Sequence, residues 1–214
     1  VADIQLQLFG KLVRADLAGA NLKEANLNLV DAKWADFSGA DLTDALLYEG
    51  DFASANLARA NLQGARLGRA RLNQANLEGA NLVRADLRGA RLAGAKLRGA
   101  DMRSVKLDSQ NMRGMDLAGI DFTMGDMVEA DLTGANLKEA NLHDARLIGA
   151  KLAGAELAGA NLNKANLSRA DLSGAKMREA MLYAAILDGA KLAGADLTDA
   201  MMGTARLTRS DLSK

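Results

Sequence analysis

Large apolar residues recur at every fifth position along almost the whole chain. Counting by fives from Leu12 to Leu212 gives 41 positions, of which 32 are Leu, eight are Phe or Met, and one is Ala32. The residue two places before each is Ala in 32 cases, and the residue between them is Asp or Asn in 25. A period of five that never slips over two hundred residues predicts a repeat architecture.

This period excludes one continuous helix and one continuous strand. In a helix, a step of five residues turns the side chain by about 140° net, so the Leu residues would form no stripe. In a strand they would point to opposite faces, because five is odd. The Ala and Leu of one unit do share a strand face. The chain can keep both inward only by turning a corner in every unit, which predicts a coil whose turns stack.

The remaining positions suit corners. Asp and Asn side chains bond to nearby backbone groups and support turns. Gly occupies the second residue after the Leu in 16 of 41 units, including Gly19 and Gly39, where a corner favours unusual backbone angles. We therefore expect Ala and Leu to line a narrow interior, with Asp, Asn and Gly forming the corners.

Segments such as Ala15-Asp16-Leu17 and Ala160-Asn161-Leu162 resemble the A(D/N)LXX motif of the pentapeptide-repeat family. The resemblance covers residues 10–214 and implies an all-β fold, a right-handed quadrilateral β-helix with four units, or 20 residues, in each of about ten coils. We expect 10–214 to form a single uninterrupted solenoid. Residues 1–9 are out of frame, and their alternating apolar residues predict a strand that caps the first coil.

Two features of the repeat raise expectations about partners. The repeat runs to Ser213-Lys214 without a cap, so we expect that the C-terminal end is either truncated here or covered by a second copy or another protein. Five consecutive units lack Ala at its usual position, and this stretch predicts either a repacked coil or a joint that a partner recognises. Its residues are Val105, Gln110, Met115, Ile120 and Gly125.

The net charge is zero, with 27 basic and 27 acidic residues, but the charges lie in bands. Zero net charge disfavours a globally basic nucleic-acid binder and a globally acidic mimic. Residues 59–107 hold 11 basic and 3 acidic side chains, whereas residues 1–58 hold 4 basic and 9 acidic side chains. In the implied coil, Arg71 and Arg91 lie one above the other. This basic belt is either solvated charge or a site for an anionic partner. Its candidate contact residues are Arg66, Arg69, Arg71, Arg84, Arg88, Arg91, Lys96, Arg98, Arg103 and Lys106.

Apolar residues at outward or corner positions form two clusters, which are either ordinary scattered surface residues or contact patches. One lies near the N-terminal end and the other near the C-terminal end. The first contains Leu29, Trp34, Leu46 and Tyr48, and the second contains Met181, Tyr183, Ile186 and Met201.

The sequence shows no catalytic, metal or cofactor constellation. The single His, His143, has no second His for a metal pair, and the absence of Cys excludes thiolate sites. No apolar run approaches the roughly 20 residues of a membrane span. The first residues lack a basic n-region, so we expect no signal peptide and take the cytoplasm as the default location.

These observations predict a non-catalytic interaction or scaffold rod, a module of a larger protein or assembly, whose partner is a protein. The family resemblance adds an alternative, because some members resemble duplex DNA and protect DNA gyrase from quinolones or peptide toxins. The neutral chain and its basic belt count against that role. A third interpretation is an anionic polymer bound at the belt, with affinity that falls steeply with salt.

Overall fold

The β structure consists of single residues joined in parallel bridges to residues 20 positions away. In the computed structural model, residues 11–213 are described, and they contain neither a helix nor an extended strand. The first bridge joins Lys11 to Asp31 and the last joins Lys191 to Asp211. The capping strand predicted for 1–9 lies outside the described residues.

Each unit of five residues makes one side and one corner of a coil. We name its positions inner (Ala15), bridge (Asp16), centre (Leu17), first corner (Ala18) and second corner (Gly19). The bridge spacing of 20 residues and the unit length of five give four sides per coil. The fold is therefore a quadrilateral β-helix.

The interior is a stack of small and large apolar side chains. Inner and centre residues such as Ala35, Leu57 and Leu142 have no exposed surface. Each fully buried Leu stabilises the fold by about 1.5–3 kcal/mol relative to an exposed one. The predicted interior of Ala and Leu is confirmed.

Four of the five backbone amides bond to the backbone in a unit such as 35–39. The centre N–H donates to the bridge C=O one coil later (Leu17 to Asp36, 2.7 Å), and the second-corner N–H donates to the first-corner C=O (Gly19 to Ser38, 2.8 Å). The bridge N–H donates to an inner C=O of the preceding coil. The inner N–H closes the corner onto the centre C=O (Ala20 to Leu17, 3.0 Å). Proline cannot donate at these positions, and the chain has none.

The fifth amide, at the first corner, explains the Asp and Asn residues at the bridge position. The side-chain oxygen of the bridge residue accepts this N–H, as Asp16 does from Ala18 (3.1 Å) and Asp36 from Ser38 (2.8 Å). Asn56 also donates to Asp36 in the preceding coil (3.0 Å). The predicted turn-supporting role of these side chains is confirmed, and it completes the hydrogen bonds of the unit.

Every second corner is left-handed, whatever its residue. All forty second-corner residues from Arg14 to Arg209 have a φ between +54° and +71°, and 24 of them are not Gly. Left-handed backbone costs a non-Gly residue about 1–2 kcal/mol. Stacking must offset this cost at each such corner.

Around Phe52, several residues depart from the repeat consensus, and the small ones offset the volume of the large ones. Its ring packs edge-on to Phe37, with 5.8 Å between the ring centroids. A Cβ atom at Gly50 would lie 2.5 Å from Cε2 of Phe52. Ala32 occupies the same centre stack one coil earlier. The small residues at 32 and 50 therefore make room for the two rings.

The chain divides into two compact units, Val1–Val105 (unit 1) and Lys106–Lys214 (unit 2), with the same five-residue pattern in both. The stretch without inner Ala ends unit 1 at Val105 and continues in unit 2. There Gln110 is buried, and the corner bond is kept at Met115 (3.2 Å) and Gly125 (2.8 Å). The five-residue frame is therefore kept in the part of the stretch that lies in unit 2, and a partner for the stretch stays a prediction.

Candidate interaction surfaces

All ten residues of the basic belt are exposed; nine lie in unit 1 and Lys106 begins unit 2. Arg71 and Arg91 form a parallel bridge, one above the other as expected. Asp51 lies 3.3 Å from Arg71 and Glu49 lies 3.2 Å from Arg69. Part of the belt's charge is therefore matched locally.

The other belt pairs are shorter. Arg88 meets Asp86 at 2.5 Å and Arg103 meets Asp101 at 2.6 Å. The Arg103 guanidinium holds the pKa of Asp101 below its ordinary value, mainly through the side-chain hydrogen bond. Such pairs are strongly solvated and stabilise little.

Five belt residues in unit 1 make no ion pair with any residue in the described range: Arg66, Arg84, Arg91, Lys96 and Arg98. They occupy three different bridge columns and two different corners, so they do not form one continuous strip.

The first apolar cluster is exposed at three of its four residues. The exposed fraction is 66% for Leu29, 54% for Trp34 and 42% for Tyr48, whereas Leu46 is half-buried. The Arg14 guanidinium lies 5.6 Å from the centroid of the Trp34 ring.

Tyr48 is held by the coils on both sides of it. Its bridge residue is Leu46, which offers no oxygen to the Tyr48 amide; Oδ1 of Asn28, one coil earlier, accepts that N–H instead (2.8 Å). One coil later, the Tyr48 ring lies against Gly68, where a Cβ atom would come within 3.2 Å of ring Cδ2. We call this first-corner arrangement an Asn-Tyr-Gly column.

Unit 2 repeats the arrangement at its own tyrosine. Met181 is the bridge residue and again offers no oxygen, and Oδ1 of Asn163 accepts the Tyr183 amide (2.8 Å). The ring lies against Gly203. Met201, bridged to Met181, is 57% exposed. Both tyrosines of the chain are thus in Asn-Tyr-Gly columns.

Two apolar patches follow from these columns. The Tyr48 patch consists of Leu29, Leu46 and Tyr48. The Tyr183 patch consists of Met181, Tyr183, Ile186 and Met201, of which Met181 and Ile186 are half-buried. Trp34 lies at the next corner from Leu29.

A notch of about 550 Å³ opens beside Tyr48. Leu46, Tyr48 and Gly68 line its floor, and Arg66 and Arg69 stand at its rim. The Arg69 guanidinium lies 5.9 Å from the centroid of the Tyr48 ring. The notch therefore combines an apolar lining with two exposed arginines.

The sequence interpretation missed one exposed apolar residue away from the chain ends. Met124 is 61% exposed at a second corner of unit 2. Its position in the repeat was the available signal, because every second corner faces outward.

Chemistry-bearing side chains are dispersed on these surfaces. Nε2 of His143 lies 3.0 Å from Oδ2 of its neighbour Asp144. Between residues 11 and 213, no three His, Asp or Glu side chains are grouped as a metal site would require. The same range contains no helix long and apolar enough to cross a membrane.

A family model for pentapeptide repeats, built from eight copies, matches nearly the whole described range. The matched residues are 11–47, 35–74, 65–103, 100–139, 140–178 and 175–213. The chain is a pentapeptide-repeat protein. Its fold is accordingly the right-handed quadrilateral β-helix of that family, with about ten coils of 20 residues.

Solved structures of other pentapeptide-repeat proteins are similar to this one. HetL from the cyanobacterium Nostoc sp. strain PCC 7120, involved in heterocyst differentiation regulation, is 34% identical over 92% of this chain and 82% of its own, with a TM-score of 0.50. A thylakoid lumen protein of Arabidopsis thaliana is 32% identical over 46% of this chain and 69% of its own, with a TM-score of 0.46.

QnrB1, a plasmid-mediated fluoroquinolone resistance protein, is 18% identical over 84% of this chain and 83% of its own, with a TM-score of 0.40. No curated protein matches the chain in sequence. The contact predicted at the C-terminal end, with a second copy or another protein, stays a prediction.

Proposed function

We propose that this pentapeptide-repeat protein is a non-catalytic protein-binding module that contacts its partner through the Tyr48 and Tyr183 patches. The observation that carries the proposal is the Asn-Tyr-Gly column, which holds an exposed tyrosine ring in place twice. Aromatic anchors dominate the binding energy of protein interfaces. Holding them in position before binding lowers the entropy lost on association.

The surroundings of the two rings support the proposal. Each ring has apolar neighbours, Leu29 beside Tyr48 and Met201 beside Tyr183, and both neighbours are more than half exposed. Contiguous exposed apolar surface of this kind marks interaction sites. The role of HetL in regulating differentiation is one that a binding module can perform, and we propose a regulatory or scaffold role of the same general kind here.

The two other interpretations have less support. Mimicry of duplex DNA needs a continuous acidic surface, but residues 59–105 carry ten basic and three acidic side chains. Failure of excess protein to protect supercoiling by quinolone-challenged gyrase would remove that alternative. An anionic polymer would need cations on one surface, whereas the belt's unpaired cations lie on separate columns and corners.

Quantitative affinity capture tests the proposal. The immobilised chain and the variants Tyr48→Ser and Tyr183→Ser are compared on the same cell extract. The control is Met124→Ser, which removes an apolar side chain of similar exposure from outside both patches. We expect at least one captured protein to fall about tenfold with a tyrosine variant and to be unchanged with the control. Identical capture by all four proteins would contradict the proposal.

A further inference from the structure

We propose that the notch beside Tyr48 binds an acidic segment of the partner protein. A carboxylate of that segment pairs with Arg66 and Arg69, and an adjacent apolar side chain rests on Leu46 and the Tyr48 ring. The inference rests on the proposed function, because it names the chemistry of the partner at one of the two patches.

The notch exists because a first corner lacks a side chain. Gly68 and Gly203 are the only first-corner glycines in the sequence between 13 and 213. At Gly68, the Tyr48 ring of the coil before and the Arg88 carbonyl of the coil after border the vacant Cβ direction, at 3.2 and 3.7 Å from where that atom would stand. The recess is therefore bounded along the column and open outward.

Two arginines at the rim can bind a carboxylate. Arg66 is exposed and makes no ion pair with any residue between 11 and 213. Among the described residues, Arg69 forms an ion pair with Glu49 alone, at 3.2 Å, and both side chains are well exposed, at 68% and 38%. A solvated pair of this kind is weak. A partner carboxylate that is less solvated on binding can displace Glu49 and form a bidentate pair with the guanidinium.

Arg88 has a different role in the notch. Its Nε donates to Oδ1 of Asp86 at 2.9 Å and its Nη2 to Oδ2 at 2.5 Å. This bidentate pair fixes Arg88 as part of the wall and leaves recognition to Arg66 and Arg69.

The acids at the notch select against a continuous polyanion. Asp86 lines the notch and Glu49 lies beside Arg69, so a chain of closely spaced phosphates would meet repulsion on two sides. A peptide can place its carboxylates only where the arginines are. The apolar floor of Leu46 and Tyr48 also matches a peptide that alternates acidic and apolar residues.

The second column supplies an internal comparison. Gly203 provides a matching recess against Tyr183, but the nearest bridge arginine, Arg206, is bonded to Asp188 through its Nε at 2.8 Å. Met181 and Met201 take the places that Leu46 and Arg66 occupy beside Tyr48. The Tyr183 recess therefore lacks the Arg66 position.

Fluorescence anisotropy of a labelled peptide with sequence Glu-Leu-Glu-Phe-Glu-Leu, titrated with the full chain, tests the inference. A second peptide carries Gln in place of every Glu. The variants Arg66→Glu and Gly68→Gln alter the rim and fill the recess. The control for Arg66→Glu is Arg98→Glu, which changes an exposed and unpaired arginine at a first corner outside the notch. The control for Gly68→Gln is Gly203→Gln, which fills the other recess.

We expect Arg66→Glu and Gly68→Gln each to weaken binding of the acidic peptide about tenfold, and both controls to stay within about twofold. The Gln peptide should bind about tenfold more weakly than the Glu peptide. If Gly68→Gln does not fold, Arg66→Glu at its exposed position still decides the matter.

Three outcomes would overturn the inference. Equal binding of the Gln and Glu peptides would show that the notch binds through apolar contact and that its arginines do not recognise carboxylates. Equal loss with Arg98→Glu and Arg66→Glu would assign binding to the belt as a whole, as for an anionic polymer. No binding of the acidic peptide by the wild-type chain would remove the site. In that last case the proposed function still stands if Tyr48→Ser loses a captured protein, so the two failures are distinguishable.

Discussion

The ring of Tyr183 lies against Gly203, one coil further along the chain, so closely that a Cβ atom at Gly203 would stand 3.3 Å from ring Cδ2. The coil before also holds this corner, because Oδ1 of Asn163 accepts the hydrogen bond from the Tyr183 amide that the Met181 side chain cannot accept. At Leu46 and Met181, the acceptor that an apolar bridge residue lacks is therefore supplied by the coil before. The three coils together determine where the ring stands.

Replacing Asn163 by Ala should destabilise the protein by about 0.5–1.5 kcal/mol, because the Tyr183 amide loses its acceptor at an exposed corner, where water replaces it in part. Urea unfolding measures the loss. Asn73→Ala is the control, since the Asn73 side chain is half-buried at an equivalent corner but accepts no such bond. Adding Met181→Asn should restore an acceptor two residues before Tyr183 and recover most of the loss. An equal loss in the Asn73 control would contradict this account.

The space around Phe52 predicts a compensating pair. Gly50→Ala should cost about 1–3 kcal/mol, because the new Cβ would stand 2.5 Å from the Phe52 ring. Combined with Phe52→Leu, it restores the consensus Ala-Asp-Leu. We expect the double variant to lose at least about 1 kcal/mol less than the sum of the single variants. Additive losses in urea unfolding would show that the two sites are independent.

The left-handed corners predict opposite effects for the same substitution at two positions. Ala184 has a φ of +55°, so Ala184→Gly removes strain and should stabilise by a few tenths to about 1 kcal/mol. Ala153 is a first-corner residue without positive φ. Ala153→Gly should therefore destabilise by about 0.5–1 kcal/mol through added freedom of the unfolded chain. Thermal unfolding of both variants decides, and shifts of the same sign would refute the argument.

We expect Asp41 to account for part of the loss of folding stability at low pH. Hydrogen bonds from the Thr43 hydroxyl (2.5 Å) and amide (3.0 Å) hold the pKa of Asp41 below 3.8. A carboxyl whose pKa is lower folded than unfolded stabilises the fold above its unfolded pKa. That stabilisation is lost as pH falls toward the folded pKa.

Asp41→Asn should therefore lower the melting temperature at about pH 7, and the difference from wild type should shrink as the pH falls and the Asp41 carboxylate becomes protonated. Asn is an accepted bridge residue in the same column, at Asn61. Thr43→Val removes the hydroxyl donor and should reduce the same pH dependence. A constant difference between wild type and Asp41→Asn across this pH range would contradict the assignment.

The repeat predicts corners and stacked coils because it follows one local rule, whereas the number of sides and the right-handed turn came from the family resemblance. Alternation within a unit and the odd period between units require a corner, and Asp or Asn at the bridge position indicates how the first-corner amide is satisfied. Left-handed geometry at second corners occupied by residues such as Trp34 was not predictable from composition, because stacking overrides the preference of the residue.

The candidate surfaces were only partly predictable. Apolar residues at outward positions pointed to Tyr48 and Tyr183, but reading the repeat by fives hides relations between coils. Reading the chain at intervals of 20 residues places Asn28, Tyr48 and Gly68 in one column. Ion pairing within the basic belt, such as Arg71 with Asp51, depends on side-chain placement that the period does not determine.

The backbone path at the second corners does not depend on which residues occupy them. Twelve residue types, from Gly to Trp, occupy second corners whose φ angles differ by only 17°. Surface substitutions can therefore accumulate with little change in the coil beneath them, and a lineage can exchange one partner for another while keeping its architecture. An Asn-Tyr-Gly column could therefore be transferred to another repeat protein by grafting its three residues onto three successive coils.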